Sequence, residues 1–249
     1  MLKKNIKLWI LAVIVAVIGF VGLNIIAVGG KLGWPVVAAI QIMRSKKTVE
    51  DRILQYGDAV RTRLAPRFAN ARATYPPRRV TLVGIKDERM LQVWVSGNDD
   101  DWIHLCDYPI LGMSGTLGPK LKEGDMQVPE GIYRLESLNP NSLYHLALRV
   151  NYPNSQDIIR GQQDGRSTLG SDIMIHGKTC SIGCLAMGDQ AAEDLFILSA
   201  ETGIENVSII LSPVDFRTRG LPDPMPILPP WTGELYDTIK LELAKLEGI

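Results

Sequence analysis

The hydrophobic pattern begins with one unbroken apolar run. From Leu8 to Val28, LWILAVIVAVIGFVGLNIIAV, twenty-one residues carry Asn24 as the only strongly polar one. A helix needs about 20 apolar residues to cross a bilayer. A cleaved signal peptide has a shorter apolar stretch, roughly 7–15 residues, so the run predicts a retained transmembrane anchor over residues 1–30. Lys3, Lys4 and Lys7 precede it, and Lys31 alone closely follows. The excess of positive charge before the run puts the N-terminus in the cytoplasm. The expectation is a single-pass inner-membrane protein whose residues 31–249 lie in the periplasm.

The period then becomes helical. In residues 46–72, Val49, Ile53, Val60, Leu64 and Phe68 recur at near-helical spacing, with Gly57 and Pro66 as interruptions. This predicts a helical spacer over 31–78, closed by the prolines of YPPRR at 75–79. Beyond it the period falls to two. RVTLVGI (79–85) and LQVWVSG (91–97) read as a hairpin, followed by WIHLC (102–106). After a glycine-rich loop through 112–125, GIYRLESL (131–138) and YHLALRV (144–150) alternate like half-buried strands. A long polar stretch, 151–172, leads to a short apolar strand at 173–175. QAAEDLFILSAET reads as a helix with Asp189 as its N-cap and Gly203 as its end. NVSIILSP (206–213) is a last strand, the prolines of 221–230 favour extended chain, and a short helix closes near 233–247.

The expected organisation is therefore an anchor (1–30), a helical spacer (31–78), a β-rich domain with one clear helix (79–213), and a Pro-rich segment with a C-terminal helix (214–249). The fold class is α+β, mainly β with some α.

Composition narrows the partners. Lys+Arg and Asp+Glu balance at 27 each. Phosphate binding needs a concentrated basic face, so nothing here asks for nucleic acid. Three cysteines, Cys106, Cys180 and Cys184, are an odd number in a chain expected outside the cytoplasm, where disulfides persist. Either Cys106 pairs with Cys180 and leaves Cys184 as a reactive thiol, or Cys180 bridges to Cys184 and Cys106 stays buried.

The chemistry concentrates in IMIHGKTCSIGC, residues 173–184, which holds one of three histidines and two of three cysteines. A cysteine attacks as its thiolate and needs a base or a positive environment to lower its pKa. His176 is the obvious base for Cys184, and this pairing is the logic of covalent acyl transfer. Backbone N–H groups around Gly183 and Cys184 can then form an oxyanion site. Two rivals compete on spacing alone. A zinc site would draw on His176, Cys180, Cys184 and a fourth ligand such as His104 or His145. The other rival is a structural disulfide beside a core histidine. Lys120, Lys122, Glu123 and Asp125 either border the cleft or form a solvated turn.

HGKTCSIGCLAM resembles the signature of the L,D-transpeptidase (YkuD-like) catalytic domain, HG followed by S-x-G-C. The short gap between the two parts, GPKLKEGDMQVPEGIY and LNPNSLYHL look like its YafK-like branch. The resemblance covers roughly residues 79–212. It implies a β-sandwich catalytic domain with Cys184 as nucleophile and His176 as base. Gly177 follows the histidine, where the family orients the imidazole through a backbone carbonyl. Ser181 and Gly183 would shape the oxyanion site, and Tyr144 and His145, in the branch's YH motif, would line the cleft. Two positions depart from many family members: Ile182 replaces a histidine before Gly-Cys, and Ala186 replaces an arginine two residues after the cysteine.

What the resemblance implies is a thioester on Cys184 formed from a peptidoglycan stem peptide, with no metal and no organic cofactor. Transfer to an amine would build or remodel cross-links. Transfer to water would make the chain a hydrolase or amidase that trims stems or releases a wall-attached protein. A wall-binding module without catalysis is the reading from a different class.

Overall fold

The computed structural model describes residues 46–97 and 101–247. The expected anchor over 1–30 lies outside them. Among the described residues no helix is long and apolar enough to cross a membrane.

The first helix, α1 (Val49–Ala71), starts where Thr48 accepts a hydrogen bond from the Asp51 backbone N–H while the Asp51 side chain accepts from the Thr48 backbone. That reciprocal cap satisfies two donors the first turn leaves open. The helix runs through Pro66 and ends at Arg72 in the left-handed conformation. Its buried stripe of Val60, Leu64 and Phe68 is the one the sequence spacing indicates.

Eight strands follow: β1 (Arg79–Ile85), β2 (Met90–Ser96), β3 (Trp102–Pro109), β4 (Gly131–Asn139), β5 (Ala147–Val150), β6 (Met174–His176), β7 (Leu185–Ala186) and β8 (Val207–Ser212). They hydrogen-bond in one row, β3-β2-β1-β8-β4-β5-β6-β7. The expected β-sandwich thus takes the form of a single curled sheet in a mixed α+β domain. β1 pairs parallel with β8 and β6 parallel with β7. β2, β4 and β5 pair with their neighbours antiparallel.

Helices cover both faces of this row, and the alternation along strands divides the core accordingly. Val80 and Leu82 of β1 join Val207, Ile209 and Leu211 of β8 in a cluster with α1 and α3 (Asp189–Thr202). Val83, Ile85 and Ile210 point the other way, into a cluster with α4 (Thr232–Ala244). Being covered on both faces, β1 and β8 need apolar side chains at nearly every position, hence RVTLVGI and VSIILS. The body that begins at Lys47 takes in residues 47–78 of the stretch read as a spacer, together with the C-terminal segment.

One helix escaped the sequence reading. α2 (Ser155–Gln163) lies inside the polar stretch 151–172, where Asn154 caps the Gln156 and Asp157 N–H groups and the Asp157 side chain caps Asn154 in return. The strand expected over 144–150 is shorter than its alternation suggests. It begins at Ala147, because His145 has φ 75° and breaks the extended run.

One buried polar network ties the glycine-rich loop to the rest. Lys86 Nζ, at the end of β1, donates to the Gly118 and Val128 carbonyls and to Glu130 Oε1, at 2.8, 3.0 and 2.8 Å. Glu130 also accepts from the Gly118 N–H and, from α4, the Tyr236 hydroxyl. Nearly all its hydrogen-bonding capacity is used, which is the condition for keeping charges so deep. Leu228 of the Pro-rich segment packs into the α4 cluster, and its Cδ2 lies 3.0 Å from the point where a Gly118 side chain would begin.

Candidate active site

β6 and β7 carry the site. Their parallel register sets Ile175 against Leu185 and His176 against Ala186, so Cys184 enters one step before, beside Met174. The connection between them, Gly177–Cys184, is short and held at several points. Lys178 has φ 60°, its N–H donates to Asp189 Oδ1, and its ammonium pairs with Asp189 Oδ2. Asp189 is the first residue of α3 rather than its N-cap, which is Gly188. Its carboxylate holds the site loop instead of capping the helix. Gly112 is the other close approach: a Cβ there would lie 2.0 Å from the Thr179 carbonyl oxygen.

His176 is almost fully buried. Its Nδ1 lies 2.6 Å from the Gly177 carbonyl oxygen. A carbonyl can only accept, so Nδ1 carries the proton and Nε2 keeps the free lone pair of a base. Burial pushes its pKa below the ordinary value, partly offset by the bond to Gly177. The Tyr144 ring sits 4.7 Å from the imidazole, tilted by 34°.

Cys184 is half-buried. Its sulfur accepts from the Met174 N–H at 3.4 Å and its thiol donates to the Asp172 carbonyl at 3.5 Å. Burial pushes the thiol pKa up, and the Asp172 charge adds to this; the Met174 N–H and, more weakly, Lys120 oppose it. The sequence led us to expect a thiol lowered by its histidine. Both shifts instead favour the neutral forms of thiol and imidazole, and no hydrogen bond joins the two side chains among the described residues.

The loop's own hydroxyls complete the frame. Ser181 Oγ accepts from the Cys184 N–H at 3.0 Å and donates to the Cys184 carbonyl at 2.6 Å. Gly183, at φ 79°, donates its N–H to Ser114 Oγ at 2.7 Å, and Ser114 donates on to the Met126 carbonyl. Both backbone donors expected to form the oxyanion site are thus taken by serine hydroxyls here.

The sequence candidates separate. Gly177, Ser181, Gly183 and Tyr144 come together around His176 and Cys184. His145 does not: its Nε2 meets Glu193 Oε1 at 3.0 Å and its ring stands edge-on to Tyr56 of α1, so it faces the helices rather than lining the cleft with Tyr144. The left-handed backbone at His145 turns the two neighbours apart. His104, the other histidine weighed as a metal ligand, bonds Asp107. Among the described residues no three His, Cys, Asp or Glu side chains gather into a metal-holding group. All three cysteines are free thiols, and Cys106 accepts from Arg67 at 3.0 Å. Lys120 is buried rather than solvated, bonded to Asp125 and the Lys122 carbonyl.

Ser114, Asp172 and Gly112 were missed from sequence, since each meets a partner well away along the chain. Only the glycine-rich character of 112–125 hinted that this loop approaches something closely.

No family model matches the chain. Over 113 residues it is 37% identical to "Putative L,D-transpeptidase YafK" of Escherichia coli (strain K12), and equally to the protein of that name in E. coli O157:H7. The aligned segment is 45% of this chain and 43% of the relative. Over that segment the chain is thus similar to proteins named as putative L,D-transpeptidases. It spans less than half the length of the curated relatives it matches. Among solved structures, the helical cell shape determining protein Pgp2 from Campylobacter jejuni aligns with TM-score 0.43 and 22% identity, covering 53% of this chain and 47% of that one. Mycobacterium tuberculosis L,D-transpeptidase 1 aligns with TM-score 0.32 and 15% identity, over 54% and 62% of the two chains. These scores add nothing to the sequence homology. The likeness rests on the curated relatives alone.

Proposed function

We propose that the chain is a cysteine-dependent, L,D-transpeptidase-type acyltransferase that acts on peptidoglycan stem peptides. The observation that supports it most is the His176 imidazole, its Nδ1 committed to Gly177 and its Nε2 left basic, on the strand that pairs with the entry of Cys184. The name of the homologous relatives supplies the reaction class.

In this mechanism His176 Nε2 takes the Cys184 thiol proton. The sulfur then attacks the carbonyl carbon at the L-centre of the third stem residue, a diaminopimelate. The C–N bond to the following residue breaks, a thioester forms on Cys184, and the leaving amine departs with the proton from His176. An acceptor amine or water then attacks the thioester and restores the thiol. Because thiol and imidazole rest as a neutral pair, the proton moves as substrate is engaged rather than beforehand.

Water as second nucleophile gives the hydrolytic reading, including release of a wall-attached protein. It is favoured by Ala186, whose buried methyl offers no cation where many relatives have an arginine. The anchor over residues 8–28 would keep the domain at the periplasmic face of the inner membrane. Protease added to spheroplasts should then remove the domain, whereas it would spare a cytoplasmic one.

The direct test incubates the full chain with tetrapeptide-stem muropeptides, beside Cys184→Ala, and reads protein and products by mass spectrometry. A Cys184-dependent acyl adduct with cross-linked product supports transfer. Loss of the terminal residue without cross-links supports hydrolysis. Neither adduct nor product, with the thiol confirmed free, sinks the acyltransferase reading and leaves the wall-binding module.

A further inference from the structure

Ala186 brings no charge to the site, and a cation stands elsewhere on the same sheet. Arg149, on β5, pairs in register with Met174 of β6, and the Met174 N–H in turn reaches Cys184 Sγ. Residues paired across strands project from the same face, and strands lie about 5 Å apart. Arg149 therefore stands two strand spacings from the thiol, in its row of the sheet. An arginine at position 186 would instead fall in the row of His176.

The surroundings of Arg149 are those of a carboxylate receptor. Its guanidinium is partly exposed and holds two carboxylates, Glu136 through Nε and Asp172 through Nη1. Both are more than half exposed, at 51% and 65%. Ion pairs this open contribute little, about 0–1 kcal/mol each, so an incoming carboxylate can replace one at small cost and gain a two-pronged contact. Arg149 and Glu136 line a groove of about 800 Å³, together with Arg134, Asn151, Gln156 and Ser171. Ser171 precedes Asp172, the residue whose carbonyl accepts the Cys184 thiol and whose φ is 59°. The Arg149–Asp172 pair thus bears on the residue that holds the thiol.

We propose that Arg149 is the specificity-determining residue of this site: it binds a carboxylate of the acyl donor in the groove by exchange with Asp172, and so loosens the Asp172 carbonyl from the Cys184 thiol. This rests on Cys184 being the nucleophile. Glu136 stays as the anionic wall that receives a donor's ammonium group, so the groove selects a residue carrying both charges. The thiol proton, released from the Asp172 carbonyl, passes to His176 Nε2 as the donor seats.

The test separates this proposal from the reading beneath it by using small reagents as well as substrate. Wild type, Arg149→Gln and Arg149→Lys are alkylated with iodoacetate and iodoacetamide at one alkaline pH, and each cysteine is followed by peptide mapping. The exposed Cys180 serves as internal reference. The iodoacetate-to-iodoacetamide rate ratio at Cys184 should fall about threefold or more in Arg149→Gln, as expected when a nearby charge that concentrates an anion is removed. It should be largely restored in Arg149→Lys, with Cys180 unmoved. With muropeptide donors, amidating the donor carboxylate should lower kcat/KM about tenfold or more in wild type, mostly through KM, and have little further effect in Arg149→Gln. An unchanged Cys184 ratio with labelling intact, or equal sensitivity of wild type and variant to amidation, overturns the role of Arg149 alone. Failure of either reagent to label Cys184 overturns the role of Arg149 and the nucleophile reading together.

Discussion

Ser181 holds both backbone groups of Cys184: one hydroxyl accepts from the Cys184 N–H at 3.0 Å and donates to the Cys184 carbonyl at 2.6 Å. The candidate nucleophile is thus placed by a side chain three residues away, not by the strand it is about to enter. Removing that hydroxyl leaves two backbone groups to find new partners, at a cost of roughly 1–3 kcal/mol. Ser181→Ala should lower the rate of Cys184 acylation about tenfold or more while the circular dichroism spectrum stays native. An unchanged acylation rate would show that the loop is held without it.

The pair of protonation states makes a pH prediction. Burial raises the Cys184 thiol and lowers the His176 imidazole. Iodoacetamide labelling of Cys184 should therefore still be climbing as pH passes 9.0, the ordinary thiol value. A rate flat from acid to neutral pH would reveal a preformed thiolate and contradict the resting state described here. The histidine also bears on stability. Its folded pKa lies below its unfolded one, so the unfolded chain binds the extra proton. That contribution is present above the ordinary value of 6.5 and is lost as pH falls below it. Between about pH 7.5 and about pH 5.5, one unit above and below that value, the Tm of wild type should drop by more than that of His176→Gln.

Gly112 tests the packing of the site loop. A methyl group there would sit 2.0 Å from the Thr179 carbonyl, a backbone atom that cannot rotate aside. Gly112→Ala should push the loop outward and cut acyl transfer at least about 100-fold, in line with what a 1 Å misplacement does to a reacting centre. Full activity in a folded Gly112→Ala protein would refute the close approach.

The buried Lys86–Glu130 pair predicts non-additive stability. Either Lys86→Met or Glu130→Gln strands charged or polar groups in the core, at about 3–5 kcal/mol for a broken buried pair. The double variant should cost less than the sum by about 1 kcal/mol or more. Simple additivity in urea unfolding would mean that the two do not interact as their 2.8 Å contact indicates.

Much of the fold was legible because its signals are local. The apolar run of RVTLVGI, the alternation in LQVWVSG, the helical spacing of Val60, Leu64 and Phe68, and the terminating Gly203 each depend on near neighbours. α2 stayed hidden because its start is marked by the Asn154–Asp157 side-chain cap and not by an apolar stripe. For the site, HG and S-x-G-C gave His176, Gly177, Ser181, Gly183 and Cys184 as a group. Their roles were less legible. Whether Gly183 presents its N–H to a substrate depends on Ser114, 69 residues away. Whether His145 lines the cleft depends on Glu193, 48 residues away. The composition of a segment carries no trace of such distant partners. Arg149 escaped for the same reason: in sequence it is one polar position of an alternating strand, and only the register with Met174 brings it level with Cys184.

The two-residue strand β7 ends the row of the sheet, and such an edge ordinarily invites another strand to add to it. Here that edge is already closed from within: Leu111 and Gly112 both donate to the Ala186 carbonyl, and Ala186 donates back to Gly112. A peptide cannot dock by extending the sheet beside Cys184. The open approach to Cys184 is over the face of the sheet. On the proposed function, main-chain pairing at this edge would add nothing to recognition, and selection would fall to the side chains and charges of the donor.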